Sequence, residues 1–184
     1  MIARLPISQW LGWGMGLYLM VTLVACNPAP AAQTQNSIAL ESHYTDEQPA
    51  LSGNGQFLVF VSNRDGDRKL IVYDLQKQQV VDLPRLNQPD TIAEHPSLSL
   101  TGRYITYITS DRGRPVVALY DRATQRSQIL TSHYRGWVRN PNISPDGRYI
   151  VFETSRRGQW DIEVLDRGAN VELDIPNGGL VSRP

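Results

Sequence analysis

The chain has 184 residues, of which 41% are hydrophobic, and its 18 Lys plus Arg and 18 Asp plus Glu give a formal net charge of zero. Nucleic-acid binding needs a clustered excess of positive charge, so this balance argues against a nucleic-acid partner. The chain has one cysteine, which excludes an internal disulfide.

The N-terminal segment is typical of an export signal. Arg4 precedes an apolar run of 16 residues from Trp10 to Ala25, and the Leu-Val-Ala sequence directly before Cys26 matches the lipobox of bacterial lipoproteins. We therefore predict a lipoprotein signal peptide over residues 1–25. A lipid anchor on Cys26 would hold the chain in the periplasm, at the inner or the outer membrane. The alternative is an uncleaved anchor, which would be shorter than the about 20 residues needed to span a bilayer.

Residues 26–37 are rich in Pro, Ala and polar residues and have no apolar periodicity, which predicts a disordered linker. Without residues 1–25 the chain keeps 17 Lys plus Arg against 18 Asp plus Glu, so it stays nearly neutral. Beyond the signal no long apolar segment has a period of 3.6 residues, and Gly and Pro recur at every turn. This pattern predicts an all-β fold.

One pattern occurs three times in residues 38–184. Each copy begins with a Pro. A Ser lies three residues after this Pro, a Gly lies six residues after it, a second Gly 17 residues after it and an Asp 25 residues after it. The copies begin 47 and then 45 residues apart, a spacing typical of propeller blades. The three sets are Pro49, Ser52, Gly55, Gly66 and Asp74; Pro96, Ser99, Gly102, Gly113 and Asp121; and Pro141, Ser144, Gly147, Gly158 and Asp166.

The third copy defines the predicted strands. Its turn residues are Ser144, Pro145, Asp146 and Gly147. They suit a type I turn closed by a Gly, so Gly147 and the equivalent Gly55 and Gly102 should have positive φ. Strands are expected around 142–144, 149–152, 162–165 and 171–175. The sequence therefore predicts an all-β partial propeller of three four-stranded blades.

At these residues the chain resembles the TolB-like, or WD40-like, β-propeller repeat, whose signature is a Pro, then Ser-Pro-Asp-Gly, then an apolar strand. The third copy matches best, whereas the first two keep only the Ser and the Gly. The resemblance covers about residues 38–184. It implies a propeller domain there and a scaffold role in the bacterial cell envelope. TolB itself has a separate N-terminal domain and six blades.

Two kinds of loop should emerge on one rim of such a propeller: the loop between the second and third strands, and the connection to the next blade. Arginines and aromatic residues recur in them, and these residue types are typical of protein-binding surfaces. The candidates for binding an envelope protein or glycan are Arg64, Arg112, Arg114, Tyr134, Trp137, Arg156, Arg157 and Trp160. The alternative is that these are solvated turn residues.

No metal, cofactor or catalytic site is predicted. His43, His95 and His133 each lie shortly before a repeat, but no Cys or close carboxylate accompanies them at the spacing of metal ligands. The mature chain has no G-x-S-x-G elbow and no Gly-rich phosphate loop. The alternative to a binding scaffold is a substrate-gating or carbohydrate-active propeller that works with a separate catalytic partner.

Three blades are fewer than the four to eight of closed propellers. Two copies of the chain could form a six-bladed ring as a homodimer, or the stack could stay open. Glu153 and Glu163 stand where the other copies have apolar residues, which predicts a polar outer face on the third blade and favours an open stack or a weak dimer.

Overall fold

A computed structural model describes residues 40, 42–89 and 91–175, which contain eleven antiparallel strands and no helix. The predicted signal peptide, the linker and Cys26 lie outside the described residues. No helix that is long and apolar enough to cross a membrane occurs in the part of the chain that is described.

The strands form three sheets, the first, second and third blades, and within each sheet they are ordered as in the chain. The first blade has β1 (Asp46–Leu51), β2 (Phe57–Ser62), β3 (Lys69–Asp74) and β4 (Gln79–Val81). The second has β5 (Ala93–Leu98), β6 (Tyr104–Asp111), β7 (Arg114–Asp121) and β8 (Arg126–Ile129). The third has β9 (Val138–Ile143), β10 (Tyr149–Thr154) and β11 (Asp161–Asp166). The predicted all-β partial propeller is confirmed.

The third blade departs from the predicted four strands, because residues 171–175 form no strand in the described chain. This segment instead reaches the second blade. The buried Asp174 carboxylate accepts hydrogen bonds from Ser99 Oγ at 2.6 Å and from the Thr101 amide at 2.7 Å. In the other two blades a turn residue, Asn54 or Asp146, accepts the bond from the turn serine. Asp174 therefore supplies the acceptor that the second turn lacks, and the segment is drawn away from β11.

The hydrophobic cores lie between the blades, because side chains alternate between the two faces of each strand. Side chains on one face of β6 and β7 pack on the first blade, and those on the other face pack on the third. The first core includes Val59, Val61, Leu70, Val72, Ile105, Tyr107, Ala118 and Tyr120. The second includes Tyr104, Ile108, Val117, Leu119, Val138, Ile143, Ile150 and Phe152. Full burial stabilises the fold by about 1.5–3 kcal/mol for each large apolar side chain.

The predicted outer face of the third blade needs a correction. Glu163 is the register partner of Phe152, whose buried ring belongs to the core against the second blade. Because opposite residues of paired strands share a face, Glu163 points towards the second blade, where its carboxylate pairs with Arg156 at 3.2 Å. Only Glu153 lies on the outer face. It bonds Arg139 at 2.6 Å and Asn140 at 2.9 Å.

The first strand of every blade contains a β-bulge that the sequence did not reveal. The residue before each repeat Pro has positive φ: 54° at Gln48, 50° at His95 and 50° at Asn140. The pairing register shifts at the same three places. The Gln48 side chain accepts a hydrogen bond from the His95 amide at 2.6 Å, so the bulges of the first two blades are joined.

Candidate functional site

The strand order gives the stack two rims. The turn rim consists of the turns at residues 52–56, 99–103 and 144–148, together with the hairpins after β3 and β7. The loop rim, at the opposite edge, has the loops at 63–68, 112–113 and 155–160 and the connections between blades. The predicted binding residues come from the loop rim.

On the turn rim the repeated residues act alike. The hydroxyls of Ser52, Ser99 and Ser144 each accept a bond at 2.9 Å from the amide that begins the next strand. The structure places Gly55, Gly102 and Gly147 at φ 70°, 70° and 78°. Pro145 and Asp146 lie in the third of these turns. The repeated aspartates also hold turns, since the carboxylates of Asp74, Asp121 and Asp166 accept bonds from amides two residues on.

Two loops of the third blade are locked together on the loop rim. The Ser155 amide donates to the Trp137 carbonyl at 2.9 Å, and the Trp137 amide donates to Ser155 Oγ at 2.9 Å. Gly136 allows this close approach, because a Cβ there would lie 2.5 Å from the Arg156 backbone nitrogen. The Trp137 side chain, 63% exposed, thus projects from a fixed backbone.

Tyr134 supports this pair of loops from below. The Tyr134 ring meets the buried Phe152 ring edge to face, with 5.6 Å between the two ring centroids. The Arg156 guanidinium lies over the Tyr134 ring, 5.3 Å from its centroid. Burial, and after it the neighbouring Glu163 carboxylate, raises the pKa of the Tyr134 hydroxyl. Tyr134 is half-buried and positions Arg156 instead of projecting into solvent.

A shallow hollow lies beside these loops. It is lined by Thr154, Arg156, Arg157, Asp161, Ile162 and Glu163. One oxygen of Asp161 and one of Glu163 are buried without a hydrogen-bond donor in the described part of the chain. Buried polar atoms nearly always have a partner, so these two oxygens are available to a donor that the hollow admits. Arg157 is exposed at its edge.

The structure brings four predicted residues, Tyr134, Trp137, Arg156 and Arg157, into one group, the third-blade cluster. The other four lie elsewhere. Arg64 pairs with Asp46 at 3.5 Å and lies 5.6 Å from the Phe60 ring centre, both within the first blade. Arg112 sits in the turn of the β6–β7 hairpin, and Arg114 is the first residue of β7, not a loop residue.

Trp160 also leaves the predicted group. Its ring stacks on the Arg139 guanidinium at 3.9 Å, and Arg139 pairs with Glu153 on the outer face of the third blade. Two further residues, Gly136 and Ser155, hold the cluster together and were not predicted from the sequence. Gly136 could have been found, because it is the one glycine in the connection between β8 and β9.

The three histidines lie in different parts of the described chain. His95 lies within β5, whereas His43 and His133 are exposed in loops. Within residues 42–89 and 91–175, no three His, Cys, Asp or Glu side chains are grouped so that they could hold a metal ion.

Three consecutive antiparallel sheets that pack face to face, each with its first strand nearest the neighbouring blades, define a β-propeller fragment. No family model matches the sequence, and no curated protein is significantly similar to it. Similar folds are found among solved structures.

TolB from Acinetobacter baumannii matches with a TM-score of 0.59 and 21% identity, over 76% of this chain and 32% of that one. A putative TolB from Agrobacterium tumefaciens matches with a TM-score of 0.57 and 20% identity, over 71% of this chain and 45% of that one. A puromycin hydrolase matches with a TM-score of 0.52 and 12% identity, over 67% of this chain and 19% of that one. The chain has a TolB-like β-propeller fold and spans less than half the length of both TolB structures.

Proposed function

We propose that this chain is a membrane-tethered scaffold of the bacterial cell envelope that binds another envelope protein through the third-blade cluster. The observation that carries the proposal is the pair of locked loops, which present Trp137, Arg156 and Arg157 beside a hollow. Two carboxylate oxygens in this hollow have no hydrogen-bond donor among the described residues. The TolB-like fold supports a binding role in the periplasm.

The chemistry of the cluster favours a protein partner. Exposed Trp and Arg supply large contact area and directed hydrogen bonds, and they dominate the binding energy of many protein interfaces. The loops are already fixed by the bonds between Trp137 and Ser155, so binding would cost little ordering entropy. The partner should donate hydrogen bonds to Asp161 and Glu163, as a Lys, an Arg or backbone amides would.

The tether is the second part of the proposal and rests on the sequence around Cys26. A thiol at the end of an apolar run, after Leu-Val-Ala, is the acceptor for diacylglycerol in bacterial lipoproteins. The Cys26→Ser variant should be found in the soluble envelope fraction, whereas the parent should sediment with membranes. A parent chain with an unmodified Cys26 by intact-mass analysis would refute the tether.

Affinity capture from envelope membranes tests the binding surface. The full chain, tagged at its C terminus and solubilised in mild detergent, should retain a specific protein. The double variant Trp137→Ala with Arg157→Ala should lose it. The control Tyr44→Ala with Arg126→Ala removes an exposed aromatic and an exposed arginine outside the cluster, and should retain it.

Two results would overturn the proposal. One is equal capture by the two double variants, which would show that the cluster is not the contact surface. The other is capture that survives complete proteolysis of the membrane extract but disappears after glycan digestion, which would make the ligand a glycan.

A further inference from the structure

The two joints between blades share one contact. At each joint an aromatic ring at the start of the second strand packs beneath the turn glycine of the following blade. A Cβ built on Gly102 would lie 3.1 Å from Phe57 Cδ2, and one built on Gly147 would lie 2.4 Å from Tyr104 Cδ2. Both rings are buried. A Cβ at Gly147 would overlap the ring and one at Gly102 would be tighter than an ordinary contact, so a glycine suits both the positive φ of the turn and the ring beside it.

The two ends of the stack carry the two halves of this contact. Tyr149 holds the position of Phe57 and Tyr104 but is 39% exposed. Gly55 holds the position of Gly102 and Gly147, yet no described residue lies within 4 Å of a Cβ built there. Among the residues that the structure describes, the third blade therefore has a ring without a glycine, and the first blade has a glycine without a ring.

The remainder of the outer face of the third blade also has the side chains of a blade contact without a neighbouring blade among the described residues. Register places Val151, Ile162 and Val164 on the face of Tyr149. The equivalent residues of the first blade, Val59, Leu70 and Val72, are buried in the first joint. Ile162 is 72% exposed and Val164 59% exposed. The face thus retains the apolar side chains that the earlier blades use to bind the next blade.

The charges on this face are also compatible with a further blade. Glu153 is paired with Arg139 and Asn140, so its charge is compensated before any contact forms. At the first joint, Arg68 bridges Glu47 of its own blade and Glu94 of the next, at 2.7 and 2.6 Å. If a second copy docked on this face, its Glu47 would take the place that Glu94 has at the first joint. Arg139 of the third blade would then face Glu47 with a positive charge, as Arg68 faces Glu94.

We propose that the outer face of the third blade, formed by Tyr149, Val151, Glu153, Ile162 and Val164, docks the first blade of a second copy of this chain. Tyr149 then packs beneath Gly55 of that copy. The same contact made twice joins three blades to three, and six blades lie within the four to eight that closed propellers contain. The docking face shares Ile162 with the hollow beside the third-blade cluster but contains none of the residues of that cluster.

Photocrosslinking of the full chain in membranes tests this contact. A benzoylphenylalanine incorporated at position 149 should give a product of twice the chain mass, with the crosslink in the peptide that contains Gly55. Gly55→Asn should abolish this product, since its side chain fills the space for the ring. The control Gly66→Asn introduces the same residue at φ 91° on the opposite rim, where no described residue lies within 4 Å of the new Cβ, and should leave the product unchanged.

A monomer-mass product, a crosslink to a different protein, or one in another part of the second copy would overturn the proposal. So would an unchanged dimer product in Gly55→Asn. Ile162→Lys is a second variant that keeps the test valid if Gly55→Asn fails to fold, because Ile162 lies outside both cores. Light scattering of the detergent-solubilised chain should show a dimer for the parent and a monomer for Ile162→Lys.

Discussion

The two rims of the stack are made by the same three repeats but are built differently. On the turn rim the repeated Ser and Gly have the same role in every blade, and hydrogen bonds run from turn to turn. The Asn54 amide donates to the Leu100 carbonyl at 2.8 Å, and the Leu100 amide donates to the Pro145 carbonyl at 2.7 Å. On the loop rim the first and third blades have six-residue loops at 63–68 and 155–160, whereas the second has a two-residue hairpin turn at 112–113.

This difference separates assembly from recognition. Residues that recur with one role in every blade hold the blades in register, and their replacement should affect the fold. Residues that occur in one blade alone, such as Gly136 and Trp137, are not needed to hold the blades in register. Variable loops on a rigid scaffold are where binding sites are usually found.

The largest expected effect comes from a Val at a turn-rim glycine. Gly147→Val adds left-handed strain and forces a side chain into the Tyr104 ring, so the free energy of unfolding should fall by about 3 kcal/mol or more. The loop-rim control Gly158→Val has φ 89° and no described residue within 4 Å of the new Cβ, so strain alone should cost about 1–2 kcal/mol. Chemical denaturation of both variants measures the difference. Equal losses would show that the ring contact is unimportant.

The Asp174 bonds to the second turn should give the next largest effect. Asp174→Ala leaves the buried Ser99 hydroxyl and the Thr101 amide without their acceptor, which should lower the free energy of unfolding by about 2–3 kcal/mol. Asp65→Ala, at an exposed position on the loop rim, should change it little. If the two variants unfold at the same denaturant concentration, the segment 171–175 contributes nothing to the stack.

Gly136→Ala should affect the loop rim more than the fold. The new methyl group meets the Arg156 backbone, so the two loops must separate, at a cost of about 1–2 kcal/mol. Partner capture should fall sharply, whereas Ser132→Ala in the same connection should retain it. Full capture by Gly136→Ala would mean that the locked loops are unnecessary for binding.

The smallest effect concerns an exposed ion pair at the turn rim. The Arg148 guanidinium, with the Gly168 amide, lowers the pKa of Asp166 to about 2 from its ordinary value of 3.8. Because the folded pKa is the lower one, this pair stabilises the fold above about pH 4, and the stabilisation is lost as the pH falls towards 2. In Arg148→Met the pKa of Asp166, measured by NMR titration, should rise towards 3.8. An unchanged pKa would assign the shift to the Gly168 amide.

The sequence predicted the turn rim better than the loop rim, for a physical reason. Turn chemistry is local, so Ser144 to Gly147 indicate a turn without knowledge of the neighbouring blades. The side of the sheet on which Glu163 lies depends on its pairing with Phe152 in the hairpin, and the sequence alone does not determine that register. The path of 171–175 depends on bonds between Asp174 and Ser99, 75 residues apart. The third-blade cluster was predicted by residue type, but its separation from Arg64 and Trp160 depends on packing.

Chemical labelling in intact cells tests the central claim, that the third-blade cluster is the surface covered by a partner. Arg135→Cys, at an exposed position beside the cluster but not part of it, and separately Arg126→Cys on the turn rim, would be labelled with a maleimide that enters the periplasm, in cells and after purification. The account predicts that the cysteine at 135 reacts several-fold more slowly in cells than in the purified chain, whereas the cysteine at 126 reacts at the same rate in both. Equal rates in cells and in purified protein at position 135 would contradict it.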